Sequence, residues 1–283
     1  WRWKDERARP AYGDRPPAAA AAQVQTGSYR RAQADPVGLR IQDRGSHYEV
    51  VAENRAPGPV EIQLALAQAE NVRPVPALPA SAVVPATGTR VLARVYPLDP
   101  RLPNAFEASL LQLPGDPRAR PFDFEYRVPF DYGRVRVDQG FGGHASHNDA
   151  QNLYAVDFAL PEGTPILAAR RGVVFQVESD FQRTGLDRER YGGRANYIRI
   201  LHDDGSMALY AHLQPEGVQV RVGQQVRQGQ RIALSGNTGY TTAPHLHFVV
   251  QANRGMRLEA IPFRMFGALG ELKFAREADA GAP

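Results

Sequence analysis

The 283-residue chain contains no cysteine, and that absence removes two kinds of architecture. There is neither a disulfide framework nor a thiolate metal site, so any bound metal must be held by His, Asp or Glu. Lysine is nearly missing as well: Lys4 and Lys273 are the only two, and the rest of the 34 basic residues are arginines. A net charge of +4 suits an anionic partner such as a cell-wall polymer, a membrane surface or nucleic acid. No zinc-knuckle spacing, RNA-binding aromatic signature or basic helical run is present, so nucleic acid is not expected. No uninterrupted apolar run approaches the length needed to span a bilayer, and no transmembrane segment is expected. The sequence opens on Trp1 rather than Met and on no signal peptide, so the expectation is a processed or truncated end.

What is plentiful is turn chemistry. With 26 glycines and 23 prolines, the composition favours short strands over long helices. The fold expected is mostly β. Residues 1–40, rich in Ala, Pro, Arg and Gln, read as a flexible N-terminal arm. Residues 41–130 carry alternating runs such as HYEVVAEN and PVEIQLALAQ, flanking NRAPG as a hairpin-like turn, and predict a small, immunoglobulin-like β-sandwich. DPRARPFDFEYRVPF reads as its connecting or final strand. From 131 to 267 the segments AVDFAL, PILAARRGVVFQVES, ANYIRILH, SMALYAHL, GVQVRVG, RIALSG and HLHFVVQ predict an antiparallel β domain, and 268–283 a tail. The charged loop DFQRTGLDRERYGGR interrupts that series and suits the rim of a site.

Six of the seven histidines fall in this second region: His144, His147, His202, His212, His245 and His247. In TTAPHLHFVV, strand alternation sends His245 and His247 to one face and Leu246 and Phe248 to the other, with the imidazoles roughly 6.5–7 Å apart by backbone position. In YAVDFAL, Asp157 sits inside an otherwise apolar strand, a costly place for a carboxylate unless it is paired or binds a cation. Two histidines and a carboxylate, with a fourth position left to water, are a ligand set that catalytic zinc uses. Calcium and magnesium want more oxygen ligands. Iron sites of the cupin type place a Glu shortly after the HxH, where this chain has FVVQ. His202, in ILHDDGS, suits a turn between strands.

SHNDAQNLYAVDFALPEGTPILAARRGVV, then YAHL, then SGNTGYTTAPHLHF, in that order, resemble the lysostaphin-type, or LytM-like, peptidoglycan metalloendopeptidases over about residues 131–267. The resemblance implies one zinc per chain held by His147, Asp157 and His247, with His212 and His245 as catalytic imidazoles in a groove on an antiparallel β scaffold. Ten positions separate His147 from Asp157, whereas the shortest form of the family places His and Asp four apart, which leaves His144 as a second candidate for the first ligand. The implied substrate is a cross-link or stem peptide of peptidoglycan, with the arginines of loop 183–194 as candidate contacts for its carboxylates. The implied location is periplasmic or secreted, compatible with a lipid tether, and the chain is expected to act as a monomer.

Zinc can acidify a bound water and polarise the scissile carbonyl. His245, on the face of His247, is suited to moving the proton; His212 can assist or stabilise the oxyanion, and the two roles can be exchanged. Two other readings compete with this one. VRVGQQVRQGQRIALSG reads like a hairpin of biotinyl or lipoyl carriers, but a carrier needs a lysine and none lies between Lys4 and Lys273. A catalytically inactive relative, binding wall or activating another hydrolase, typically lacks the ligand residues that are all filled here.

Overall fold

Alternation of apolar and polar residues builds strands throughout, and where one face is covered by a second layer the buried set repeats every two residues. The structure, a computed structural model, describes residues 35–131 and 134–274 together with the backbone of 2–4 and 10–12. The chain divides into two compact units, Trp1–Asp35 and Pro36–Pro283. In the first, strands Arg2–Lys4 and Pro10–Tyr12 pair antiparallel. Most of the arm expected over 1–40 lies outside the described residues, but its end does not: Val37 is buried and opens strand Val37–Asp43.

The second unit begins with two facing sheets. One has four strands in the order Val37–Asp43, Tyr48–Asn54, Thr89–Pro97, Val72–Val75; the other has Ala80–Val84, Val60–Glu70 and Ala105–Pro114. Val50, Ala93 and Val95 of the first meet Leu64 of the second, with Leu66 and Leu110 packed alongside. Each such aliphatic side chain contributes about 1.5–3 kcal/mol by leaving water. NRAPG is not the hairpin turn its composition suggests. It carries the chain from one sheet to the other, because Asn54 Nδ2 donates to Gly58 O (2.9 Å) and Pro85 O (2.9 Å) while its Oδ1 accepts from Ala56 N (2.8 Å).

The larger sheet has eight strands. Along its main path run Val137–Gln139, Val156–Ala159, His245–Asn253, Met207–Ala211, Tyr197–Leu201, Gly172–Glu178 and Gln225–Val226, with Leu258–Ala260 pairing off His245–Asn253. One face buries Val156, Phe158, Ile198, Ile200, Tyr210, Leu246 and Phe248 in the main core. The opposite face carries Asp157, His247, Ala211 and Tyr197 in one row across the strands. GVQVRVG forms no ladder of its own; it makes single bonds, Gln219 N to Ile232 O and Leu234 N to Gly217 O, between the Pro-Glu-Gly turn and Gly223, whose φ is 83°. Two strand pairs are parallel, Glu125–Arg127 with Arg264–Gly267 and Thr184–Gly185 with Gly239–Tyr240.

The seam between the modules differs from the sequence reading. Tyr126 and Phe130 belong to the core of the larger sheet, so the segment read as the end of the sandwich packs with the second module. Phe274 and strand Gly270–Leu272 also pack there, and 275–283 lie outside the described residues. In the other direction, Phe175 and Leu201 of the large sheet enter the sandwich core beside Val37, Ala52, Val60 and Ile62. Gly58 makes this approach feasible: a Cβ there would lie 2.3 Å from Leu201 Cδ2 and 2.8 Å from Phe175 Cε2. Among the described residues no helix is long and apolar enough to cross a membrane.

Candidate active site

Asp157 emerges from strand Val156–Ala159 on the face opposite Val156 and Phe158, directly across from His247. His247 Nδ1 donates to Asp157 Oδ1 at 2.9 Å. His147 arrives from the loop that joins Val137–Gln139 to Val156–Ala159, and its Nε2 lies 3.2 Å from Asp157 Oδ2. One ligand atom from each of His147, Asp157 and His247 falls within 4.8 Å of the others, and all three residues are buried. His144 lies outside this group and is exposed. Burial alone would raise the pKa of Asp157, but the imidazoles of His147 and His247 outweigh it and hold the carboxyl far below its ordinary range.

The tautomers are set by backbone carbonyls. His147 Nδ1 donates to Gly140 O (2.8 Å), His212 Nδ1 to Thr238 O (2.7 Å) and His245 Nδ1 to Ala243 O (2.8 Å). In the neutral ring each of these bonds leaves Nε2 as the unprotonated nitrogen. His147 Nε2 is buried without a hydrogen-bond partner. That nitrogen, buried 3.2 Å from a carboxylate oxygen, fits a metal ligand once it gives up any proton it shares with Asp157, and an imidazole–carboxylate donor set suits zinc.

His212 follows strand Met207–Ala211 with a φ of 62°, an uncommon conformation for a side-chain-bearing residue. It brings the ring against that of His245, with centroids 4.5 Å apart, and 5.9 Å from His247. Burial, then the neighbouring His245 and His247, push its pKa down to about 3, so it is neutral at ordinary pH. His245 Nε2 lies 3.8 Å from Asp157 Oδ1. His202 is elsewhere: it caps the Asp203–Gly205 turn, with Nδ1 donating to Arg171 O at 2.7 Å.

One residue of this site was missed in the sequence. Gln139 Nε2 donates to Asp157 Oδ2 (3.1 Å) and Ser146 Oγ (2.8 Å), while its Oε1 accepts from Ala145 N (3.0 Å) and Ser146 N (3.1 Å). Its amide therefore ties the loop of His147 to the carboxylate. A Cβ on Gly143 would stand 2.2 Å from Gln139 Cγ, so the glycine makes room for it. The only sequence signal was the glycine-rich QGFGG. The charged loop lies against the same site: Thr184 and Gly185 pair with Gly239 and Tyr240, next to the Thr238 carbonyl that holds His212. Within that loop Arg194 stacks over Phe181, 5.2 Å from the ring centre.

Residues 151–258 match the model of peptidase family M23. This chain carries an M23 peptidase domain. The M23 match takes in Asp157, His212, His245 and His247 and stops short of His147. Among curated relatives, the peptidoglycan DD-endopeptidase ShyA of Vibrio cholerae is 36% identical over 128 residues, 45% of this chain and 25% of that one. The glycyl-glycine endopeptidase ALE-1 of Staphylococcus capitis is 38% identical over 115 residues, 40% of this chain and 28% of that one. The solved structure of lysostaphin from Staphylococcus simulans is 31% identical, covering 42% of this chain and 43% of that chain with a TM-score of 0.33. The aligned stretch spans only 22–30% of the length of the first curated relatives. The lysostaphin-type resemblance and the mostly β fold read from the sequence both hold for the M23 region.

Proposed function

We propose that the chain is a zinc-dependent endopeptidase that hydrolyses peptide bonds in the cross-links or stem peptides of peptidoglycan. His147 through Nε2, Asp157 through its carboxylate and His247 through Nδ1, which would release the proton it shares with Asp157, would hold one zinc. When bound, zinc supplies an acidified water and a polarised carbonyl. His245, its Nδ1 proton held by Ala243 O, uses Nε2 to accept the proton of the attacking water and returns it to the departing amine. His212 Nε2, fixed likewise by Thr238 O, shares that proton or, once protonated, faces the developing oxyanion. Gln139 keeps Asp157 from rotating and holds the His147 loop in reach. Such a substrate lies outside the cytoplasmic membrane, which puts the protein in the periplasm or among secreted proteins.

The observation that carries this reading is the convergence of three ligand atoms within 4.8 Å, one of them an orphaned buried imidazole nitrogen, beside the rings of His212 and His245, whose centroids lie 4.5 Å apart. Its support in kin is that relatives named peptidoglycan endopeptidases align over this domain. The test pairs elemental analysis of the purified protein with digestion of sacculi and mass spectrometry of the released peptides. Near-stoichiometric zinc and chelator-sensitive peptide release are expected. Zinc without release would turn the reading to a wall-binding relative, and release that survives chelation would remove the metal from it.

A further inference from the structure

The sheet face that carries His247 continues, two residues along each strand, to a buried cation. Arg199 stands opposite Leu209, and Leu209 opposite Val249, so Arg199 emerges on the face of His247, Ala211 and Tyr197. Two strands and two residues separate it from His247, roughly 12 Å between α-carbons. Its side chain leans back toward the strand of His247: Nη1 donates to Gln251 Oε1 at 2.5 Å, and Nε donates to Gln176 Oε1 at 3.0 Å. Gln251 in turn donates from Nε2 to Gln151 O, in the loop that bears His147. Beyond Arg199 on this face, Leu201 and Phe175 are covered by the sandwich. In the row of Arg199, Leu209 and Val249 pack with Tyr154, Ala155 and Ala260, so Arg199 lies between the loop that bears His147 and the accessory module, a kind of seam where ligand sites form.

Its charge is uncompensated. Arg199 is only 8% exposed, and among the described residues both of its partners are neutral amides and no carboxylate pairs with it. Arg170, the other deeply buried arginine, has Asp203 and Asp204 against it. A buried guanidinium without a counter-charge is costly, and glutamine oxygens satisfy hydrogen bonds without neutralising it. Of the five N–H donors of a guanidinium, the glutamines take two. Nη2 has no hydrogen bond among the described residues and, unlike Arg170 Nε, is not sealed from solvent.

We propose that Arg199 is a substrate-binding residue that receives a free carboxylate of the peptide lying in the groove, an inference that rests on the endopeptidase reading for the identity of that peptide. The two glutamines fix the guanidinium plane and leave an end of it open for paired hydrogen bonds, the geometry in which Arg binds carboxylates best. The site selects peptides that keep a free carboxylate two to four residues from the scissile bond over those in which it is amidated.

The experiment uses the full chain and fluorescently labelled cross-linked muropeptide, with free carboxylates or with the same carboxylates amidated. Anisotropy reads binding and mass spectrometry of the same samples reads cleavage. Amidation is expected to weaken binding to the native protein by about 10- to 100-fold, the worth of a charged hydrogen-bonded pair. Arg199→Met should bind both forms alike and weakly, with a Tm unchanged or raised because an uncompensated buried charge has been removed. Equal binding of the two peptides by the native protein overturns the proposal, as does a preference that survives in Arg199→Met. Should Arg199→Met not fold, Arg199→Lys is read instead: a reduced preference supports the proposal and an unchanged one overturns it. Carboxylate-dependent binding without cleavage would remove the endopeptidase reading and leave this inference standing; cleavage without the preference would do the reverse.

Discussion

Two buried clusters in the larger module look alike at first. Each holds a carboxylate, and in each a buried histidine has an Nε2 without a hydrogen bond, His147 in one and His202 in the other. In the His202 cluster, however, Asp204 is met by Arg170 Nη1 at 2.8 Å and accepts from Ser206 N at 3.0 Å and Ser206 Oγ at 2.6 Å. Arg170 is sandwiched against Phe124 and Phe122, 4.2 and 4.9 Å from the ring centres. The counter-charge is built in, and nothing further is required. Asp157 faces imidazoles whose Nδ1 protons, except that of His247, are spent on backbone carbonyls. An orphaned nitrogen alone does not mark a metal site; a buried carboxylate among imidazole nitrogens that can serve as ligands, with no fixed cation beside it, fits one.

That contrast can be broken at several points. The largest effect should come from Asp157→Ala, which is expected to abolish both bound zinc and peptide release, read by elemental analysis and sacculus digestion; retained zinc would dissolve the proposed ligand set. Asp204→Ala should do the opposite: zinc stays, but the stranded Arg170 costs about 3–5 kcal/mol of folding stability by denaturant titration. If Asp204→Ala keeps full stability, Asp203 alone neutralises the arginine. His245→Ala and His212→Ala should each keep zinc and lose about 100-fold or more in hydrolysis. Loss of zinc in His245→Ala would make it a ligand, and full activity in either variant would make that imidazole a bystander.

Smaller effects sharpen the comparison. Gln139→Ala should lower zinc affinity by about 10- to 100-fold in a chelator competition, the usual scale for a group that orients a ligand. Unchanged affinity would leave it a loop tie only. His202 provides the last test. Burial, helped by Arg170 and opposed by the Arg171 carbonyl, Asp204 and Asp203, pushes its pKa down to about 4. The unfolded value is higher, near 6.5, so between these pH values the unfolded chain binds the proton and the native one does not. Stability therefore falls as pH falls from 6.5 toward 4, and by about 2 kcal/mol from pH 7 to pH 5 for this one group. His202→Asn should remove that part of the slope, measured as the difference between denaturation at the two pH values; an identical slope would mean that His202 does not titrate in this range.

Much of the site was legible because the period of a strand is two. HLHF and AVDF each show a polar residue out of place among apolar ones, and the ladder sets Asp157 opposite His247. YIRIL carries the same signal at Arg199, where a charge alternates with isoleucines; without a partner in view it passed as an ordinary strand. Spacing alone does not choose between His144 and His147, since a ten-residue loop can present either; the structure brings His147 to the carboxylate and leaves His144 exposed. Gln139 was invisible because a neutral amide acts here only through contacts that the fold creates. NRAPG misled for a related reason. The same turn residues serve a hairpin and a crossing between sheets, and the difference lies in the distant carbonyl of Pro85 that Asn54 reaches.

Phe175 and Leu201 are residues of one module that complete the interior of the other. A swing of the sandwich away from the large sheet would have to extract an aromatic and an aliphatic side chain from a filled core, which is closer to unfolding than to hinge motion. The two modules should therefore melt as one cooperative unit in a calorimeter. The joint between the modules is then cast when the chain folds and is not made by a later movement. Enlarging Gly58 to alanine, which drives a methyl into that joint, is where such a casting would first crack.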